Sequence, residues 1–487
     1  MTSAARPFAG PAAVAVSALM LGGCAMFAPP VPMPSAAPPQ PEPPSTWQAP
    51  PPPAASRAAL QDWWKQFDDP LLVELIDAAQ AASPTVAAAA SRIEQARSNT
   101  VAAGALLLPT LNANASATTG RSELIRPQAA FASVNLQAGW ELDLFGANQA
   151  GRDAAVARLQ GAQASMADVR IAVAAETAAS YNALRGCEAV VVKTEADVRS
   201  RTETARVTEL AAKAGLLAPA SAALARASAA QGRSLLTGQK SQCELLLKSL
   251  VSLTAIDEPQ LRRQLAPRYA QLPVPAGIAV DTVPAAALMQ RPDLAAAADL
   301  VVATAQDTTQ AQAQRYPSVR IAGTVGPAWV RINNVSTSGN LWTIGPLQVS
   351  LPLFDGGTRE ANVVAARARY DEAVSQYRAL VRNAVREVES ALVTLDASAG
   401  RVRDTQVAIE GFEASLKAAD VRFRGGLGSL FDLEDARRSA LLAQSTLVEL
   451  QREQVAAWIN LYRALGGGWS PEQLAVNANL PGTAAPK

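Results

Sequence analysis

The sequence predicts an α+β membrane protein in which two copies of one plan each supply a strand pair and very long helices. Three observations point there: an internal repeat, a sustained heptad in one long helical stretch, and four segments that alternate apolar and polar residues. Composition agrees. Of 487 residues, 49% are hydrophobic, yet aromatics are only 5% and charged residues 17%. Alanine carries much of the apolar count, which suits close-packed helices better than a large aromatic core. There is no histidine, which excludes Ser-His and Cys-His nucleophilic sites, histidine zinc sites and histidine bases. Three cysteines are too few for a four-cysteine metal site or a disulfide scaffold. With 43 Lys+Arg against 42 Asp+Glu the net charge is +1, so no nucleic-acid partner is expected. Neither an enzyme nor a cofactor or metal site is expected.

Residues 1–23 read as an export signal. One cation, Arg6, precedes an apolar stretch from Ala12 to Leu21 that is too short to span a bilayer permanently. It ends in Leu21-Gly22-Gly23-Cys24, which resembles the lipobox of bacterial lipoproteins. That resemblance implies cleavage before Cys24 and a covalent lipid on it, N-palmitoyl and S-diacylglycerol. Ala25, rather than Asp, follows the cysteine, which favours the outer membrane. Residues 24–60 form the acylated N-terminus and a spacer. From Pro29 to Pro53 lie 13 of the 33 prolines, a composition that favours an extended, solvated tether.

The body repeats at a nearly constant offset. Pro84 to Pro292 is 208 residues, Leu142 to Leu351 is 209, and Gly215 to Gly426 is 211. Leu108-Pro109-Thr110 falls on Tyr316-Pro317-Ser318, and Ala225-Arg226 on Ala436-Arg437. The two repeats are assigned to 61–270 and 271–470, with a tail at 471–487. Each is expected to hold a moderate helix (near 85–106 and 293–314), two strands (near 109–119 with 131–145, and 317–328 with 341–354), a long helix (150–214 and 358–424) and a shorter one (220–253 and 429–465). Some 65 helical residues span roughly 100 Å, far beyond a globular domain. The moderate and shorter helices, end to end, match the long one in length and can pair with it.

In the second repeat Val374, Val381, Val388, Leu395, Val402, Ile409, Leu416 and Phe423 recur every seven residues, keeping one seam against a partner helix. The first repeat is richer in alanine and its heptad is less clean. The strands carry a period of two. Val134, Leu136, Ala138, Trp140, Leu142 and Leu144 alternate with Asn135, Gln137, Gly139, Glu141 and Asp143. Leu347, Val349, Leu351 and Leu353 alternate with Gln348, Ser350 and Pro352. Segments of this length and pattern suit a wall between lipid and water, with Leu136 and Val349 near its middle and Trp140, Trp329 and Trp342 in an interfacial girdle. Four strands cannot close a barrel. Eight would fill with side chains, whereas twelve leave a lumen, so a conducting assembly needs at least three copies.

Several motifs carry a family resemblance: Trp63-Trp64 with Phe67, Asp69-Pro70-Leu71; Trp140-Glu141-Leu142-Asp143-Leu144-Phe145-Gly146; Leu351-Pro352-Leu353-Phe354; Gly426-Leu427-Gly428-Ser429-Leu430-Phe431-Asp432; and Ala464-Leu465-Gly466-Gly467-Gly468-Trp469. With them the chain, from about Trp63 to Trp469, resembles the outer-membrane factor family, the TolC-like exit ducts of tripartite efflux pumps, in the NodT-like lipoprotein subgroup that serves RND-type pumps. The resemblance implies a homotrimer whose twelve strands form a transmembrane β-barrel, continuing into an α-helical coiled-coil tunnel in the periplasm. It implies a periplasmic adaptor and an inner-membrane RND-type pump as partners, besides outer-membrane lipid. The alternative is a periplasmic coiled-coil lipoprotein that tethers envelope layers without conducting, which leaves the four alternating strands unexplained.

The periplasmic gate is expected at the second repeat's turn, from Phe423 to Arg438. Ser429 with Asp432 reads as a capping box, and Asp435 lies one turn on, on the same face. By the resemblance Phe431 falls on an apolar constriction, Asp435 on an acidic ring that favours cations, and Arg438 on a basic position that helps hold the tip closed. The first repeat has Ser221 and Leu224 where the second has Asp432 and Asp435. Cys187 and Cys243 each lie 28 residues from Gly215, which sets them side by side in an antiparallel hairpin. They are either a disulfide, in the oxidising periplasm, or two buried thiols on separate faces.

Overall fold

The computed structural model describes residues 37, 39, 43–50, 60–120, 129–274, 277–278, 284–332 and 335–470. The signal segment, Cys24 and the tail 471–487 lie outside the described residues. In chain order the elements are α1 (Pro70–Ala82), α2 (Pro84–Ala105), β1 (Thr110–Gly120), β2 (Ala129–Leu142), α3 (Ala147–Lys213), α4 (Pro219–Thr254), α5 (Glu258–Leu265), α6 (Pro284–Met289), α7 (Pro292–Ala313), β3 (Ser318–Ile332), β4 (Val335–Ser350), α8 (Thr358–Arg424) and α9 (Leu430–Ala464). Proline opens α2, α4 and α7, where its missing N–H has no helical partner anyway. Both long helices, α3 and α8, have 67 residues, about 100 Å each. Among the described residues no helix is long and apolar enough to cross a membrane.

Two strands end earlier than their alternation suggests. β2 stops at Leu142 because Asp143 turns to cap α3, its carboxylate accepting the N–H groups of Asn148 (3.1 Å) and Gln149 (2.7 Å). β4 stops at Ser350, ahead of Pro352, which has no N–H for a ladder. Asp355 then does for α8 what Asp143 does for α3, accepting from Gly357 (3.0 Å) and Arg359 (3.1 Å). The four strands form one antiparallel sheet in the order β1-β2-β3-β4, so the repeats meet at β2 and β3, and β1 and β4 are open edges. Gly326 marks a close approach of these two strands: a Cβ there would lie 2.0 Å from the Val134 carbonyl oxygen.

The helices pack unequally. α3 contacts α1, α2, α4, α7 and α9, whereas α8 contacts α6, α7 and α9. The main core joins α1, α3, α4, α8 and α9 and is built around the N-terminal motif. Trp63 stacks on Tyr462 with ring centroids 5.0 Å apart, and Trp64 and Phe67 complete the aromatic cluster. The Tyr181 hydroxyl donates to Asp69 Oδ2 at 2.6 Å; burial, then this hydrogen bond, pushes its phenol up to about 12. The glycines after α9 serve a close approach, since a Cβ on Gly466 would meet the Gln290 carbonyl oxygen at 2.3 Å. Beside them the buried Arg291 donates to the Ala464 carbonyl at 2.9 Å and pairs with Asp293 and Glu387, capping α9 with charge of the favourable sign.

Candidate functional site: a two-faced sheet and the helical tip

Register sorts the sheet residues onto two faces. Leu136 pairs with Val325 and Val325 with Trp342; Trp140 pairs with Ile321 and Ile321 with Leu347; Val319 pairs with Val349. These residues therefore share one apolar face. On the other, Asn114 Nδ2 donates to Gln137 Oε1 (3.2 Å), the Ser116 and Ser133 hydroxyls are 3.0 Å apart, as are Thr324 and Thr343 at 2.8 Å, and Arg320 pairs with Glu141 at 2.8 Å. One face therefore suits lipid and the other water. Two expectations change. Trp140 and Trp329 lie level with residues four positions either side of Val325, as a girdle requires, but Trp342 faces Val325 itself, at mid-strand. Val349 lies one rung from the end of β3, so only Leu136 is central.

At the opposite end of the molecule the two hairpin turns share one construction. Gly215 and Gly426 have φ of +72° and +71°. The N–H of Leu216 reaches the Ala211 carbonyl at 2.9 Å, and that of Leu427 the Arg422 carbonyl at 2.8 Å, the C-cap closure that needs a left-handed residue. The following helices start differently: α4 with Pro219, α9 with the capping box. Asp432 N–H donates to Ser429 Oγ at 3.1 Å, and Ser429 N–H to Asp432 Oδ2 at 3.3 Å.

Leu430, Leu433, Arg437 and Ala440 form the buried face of α9. Phe431, Asp435, Arg438 and Leu442, spaced by four, three and four residues, form an exposed stripe, with Phe431 72% exposed. Asp435 and Arg438 make a loose pair at 3.8 Å. The tip thus presents Phe431, Asp432, Asp435 and Arg438 together. Phe423 departs from expectation: its ring is half-buried and packs into the cluster of Ala225, Ala419, Leu430 and Leu433. It continues the α8 heptad seam, and that packing takes it away from the exposed stripe.

Sequence reasoning missed a buried polar network just above the tip. Arg201 of α3 pairs with Asp197 at 2.6 Å and Glu434 of α9 at 3.0 Å, and donates to Ser228 of α4 at 2.7 Å. Arg437 pairs with Glu434 at 2.8 Å and donates to Thr204 at 2.7 Å. The only sequence signal is charge among the apolar residues of the buried face of α9, at Glu434 and Arg437. Cys187 and Cys243 are joined in a disulfide, with Cα atoms 5.6 Å apart, between α3 and α4.

Residues 75–255 and 283–467 both match the model of the outer membrane efflux protein family. Nodulation protein T of Rhizobium leguminosarum bv. trifolii is 27% identical, over 93% of this chain and 96% of its own length. The solvent efflux pump outer membrane protein SrpC of Pseudomonas putida is 29% identical, over 93% and 97%. Among solved structures, the outer-membrane channel OprN superposes with a TM-score of 0.80 at 25% identity, over 89% of this chain and 100% of that one. The outer membrane protein VceC of Vibrio cholerae superposes with a TM-score of 0.73 at 27% identity, over 85% and 100%. The two matched stretches hold both strand pairs and both long hairpins, and the chain belongs to the outer membrane efflux protein family.

Proposed function

We propose that three copies of this chain form the passive outer-membrane exit duct of a tripartite efflux pump. The observation that carries this reading is the sheet: one apolar face, one polar face and two open edges, continuous with 67-residue helices. Four strands leave their edges unpaired, and three copies bring twelve strands together, enough for a barrel with a lumen. The helices then carry the lumen about 100 Å into the periplasm, toward an adaptor and an RND-type inner-membrane pump. The acidic and apolar stripe of α9 faces the axis as the gate, with Phe431 narrowing it, Asp432 and Asp435 favouring cations, and Arg438 holding the tip closed. An acylated Cys24 anchors the N-terminus without forming part of the channel. The duct carries no reaction chemistry. Relatives are named for solvent, toluene and pyoverdine export, so cargo varies across similar ducts and selection belongs upstream; for this chain we assign drugs or other small molecules.

Single-channel recording in planar bilayers tests the reading. Purified protein should insert as stable, ohmic pores. A correctly folded trimer that never conducts would instead favour a tether between envelope layers.

A further inference from the structure

The four strands hold three charged residues: Glu141, Arg320 and Arg331. Glu141 and Arg320 pair with each other on the water face. Arg331 stands on the opposite face, two positions beyond Trp329, on a rung that runs Thr119, Ala130, Arg331, Ser336. Among the described residues it is the one charge on the face assigned to lipid, and it is exposed.

Its height decides what surrounds it. Val319 to Trp329 is ten residue steps of β3, about 34 Å of strand. Tilted by about 40°, that length rises about 26 Å, and the apolar band of a transmembrane barrel is about 25 Å tall. Trp329 therefore marks the outer edge of the hydrocarbon, where aromatic side chains belong. Arg331 lies about 5 Å higher, among lipid headgroups. The polarity of the two faces agrees. At this level the water face turns apolar, with Phe131 paired to Val330 and Ile332 to Val335, while the outer face turns polar at Thr119, Arg331 and Ser336.

Directly below Arg331 the outer face is hollow. The small side chains of Ala115, Ala117, Ala132 and Val134, with Pro327 and Trp329 beside them, leave an open groove of about 430 Å³. Register puts these six residues on the apolar face. A guanidinium carries five N–H donors in a fork that grips phosphate bidentately, so bonds within the chain still leave donors for a ligand. Inorganic phosphate would use the cation and leave the groove empty; a neutral lipid would fill the groove and leave the cation unused. An acyl chain below a phosphate uses both.

We infer that Arg331 and the groove below Trp329 form a binding site for a phosphorylated, acylated lipid of the outer leaflet. The phosphate sits on the guanidinium and one acyl chain lies along the small residues, one lipid to each copy of the chain. This rests on the reading of the sheet as the bilayer segment. The bound lipid fixes the height of the barrel in the outer leaflet.

Native mass spectrometry of the detergent-purified protein tests the site, with lipid A carrying its phosphates as probe and the same lipid enzymatically dephosphorylated for comparison. The natural protein should bind the phosphorylated lipid about ten-fold more tightly. Arg331→Ala should abolish that preference. Ala117→Trp, which fills the groove, should weaken both lipids. Both positions are exposed in the sheet, so the variants should still assemble, and the mass of the assembly checks this. Equal binding of the two lipids by the natural protein, or an undiminished preference in Arg331→Ala, would overturn the site; unchanged binding in Ala117→Trp would overturn the groove's part in it. Insertion into phosphatidylcholine vesicles separates the two readings. Protein that inserts but ignores lipid phosphate loses this site alone, whereas protein that never inserts loses the bilayer assignment as well.

Discussion

The two helical hairpins, α3 with α4 and α8 with α9, have long helices of equal length and turns of the same backbone construction, yet they are held together differently. α3 touches five other helices and buries alanines, glycines and threonines on most of its circumference; α8 touches three and buries a single heptad stripe through Val381, Val388 and Leu395. The first hairpin is stapled by Cys187–Cys243. At the same offset of 211 the second has Ser398 and Gln454, and it carries the acids and the exposed phenylalanine at its tip. On the proposed reading, the first repeat is the frame and the second the working surface.

The largest effect should come from removing what joins the two hairpins. Glu434→Ala leaves Arg201 and Arg437 buried without their shared carboxylate, and stability should fall by about 3–5 kcal/mol. Denaturant titration reads this, and a loss below about 1 kcal/mol would mean the network does not couple the hairpins. The staple should matter next. Its cysteines are 56 residues apart, and opening it with Cys187→Ser and Cys243→Ser should cost about 2–4 kcal/mol. Amide exchange should rise in α3 and α4 and stay constant in α8 and α9; two free thiols in the unreduced, denatured natural chain would remove the frame from the comparison.

The strands offer the same contrast. Leu136→Arg, mid-strand on the apolar face, should destabilise the assembled barrel by about 2–4 kcal/mol, and Val349→Arg, near the strand end, by about 0–1 kcal/mol. Folding titrations into lipid vesicles would show it, and equal costs would place the bilayer elsewhere on the sheet.

The smallest effect concerns Asp299 of α7, whose first-repeat counterpart at an offset of 208 is Ser91. Burial raises its carboxyl from 3.8 to about 6. The folded chain therefore holds this proton more tightly than the unfolded one. The stability so gained is complete below pH 3.8 and is lost as pH rises through about 6. Asp299→Asn should abolish that pH dependence and stabilise the protein at neutral pH by about 1–2 kcal/mol, allowing for partial exposure. Identical stability profiles for both proteins between pH 4 and pH 7, roughly the span of the shifted titration, would contradict it.

Sequence pattern made the repeat, the strands and the turns legible because each depends on local periodicity or on a residue with a backbone requirement: Pro84 and Pro292 at helix starts, Gly215 and Gly426 at left-handed caps, Leu136 and Leu347 in alternation. The alanine-rich α3 reads as a weak heptad, when its small residues serve five neighbours instead of one seam. Phe423 lies on the heptad and at the tip, and the heptad decided its packing. The network of Arg201, Ser228, Glu434 and Arg437 was illegible, since it joins residues more than 200 positions apart and no spacing rule brings them together. Trp342 was misplaced because girdle membership depends on pairing with β3, which alternation alone does not reveal.

The central claim, that the second hairpin carries the conducting gate, is tested most directly by the reversal potential of single trimers in a salt gradient. The natural protein should prefer cations, and Asp435→Ala should lower that preference while pores still form. Leu224→Ala, at the corresponding position of the first hairpin, should leave it unchanged. An unaltered reversal potential in Asp435→Ala, or an equal change in Leu224→Ala, would contradict the division between frame and gate.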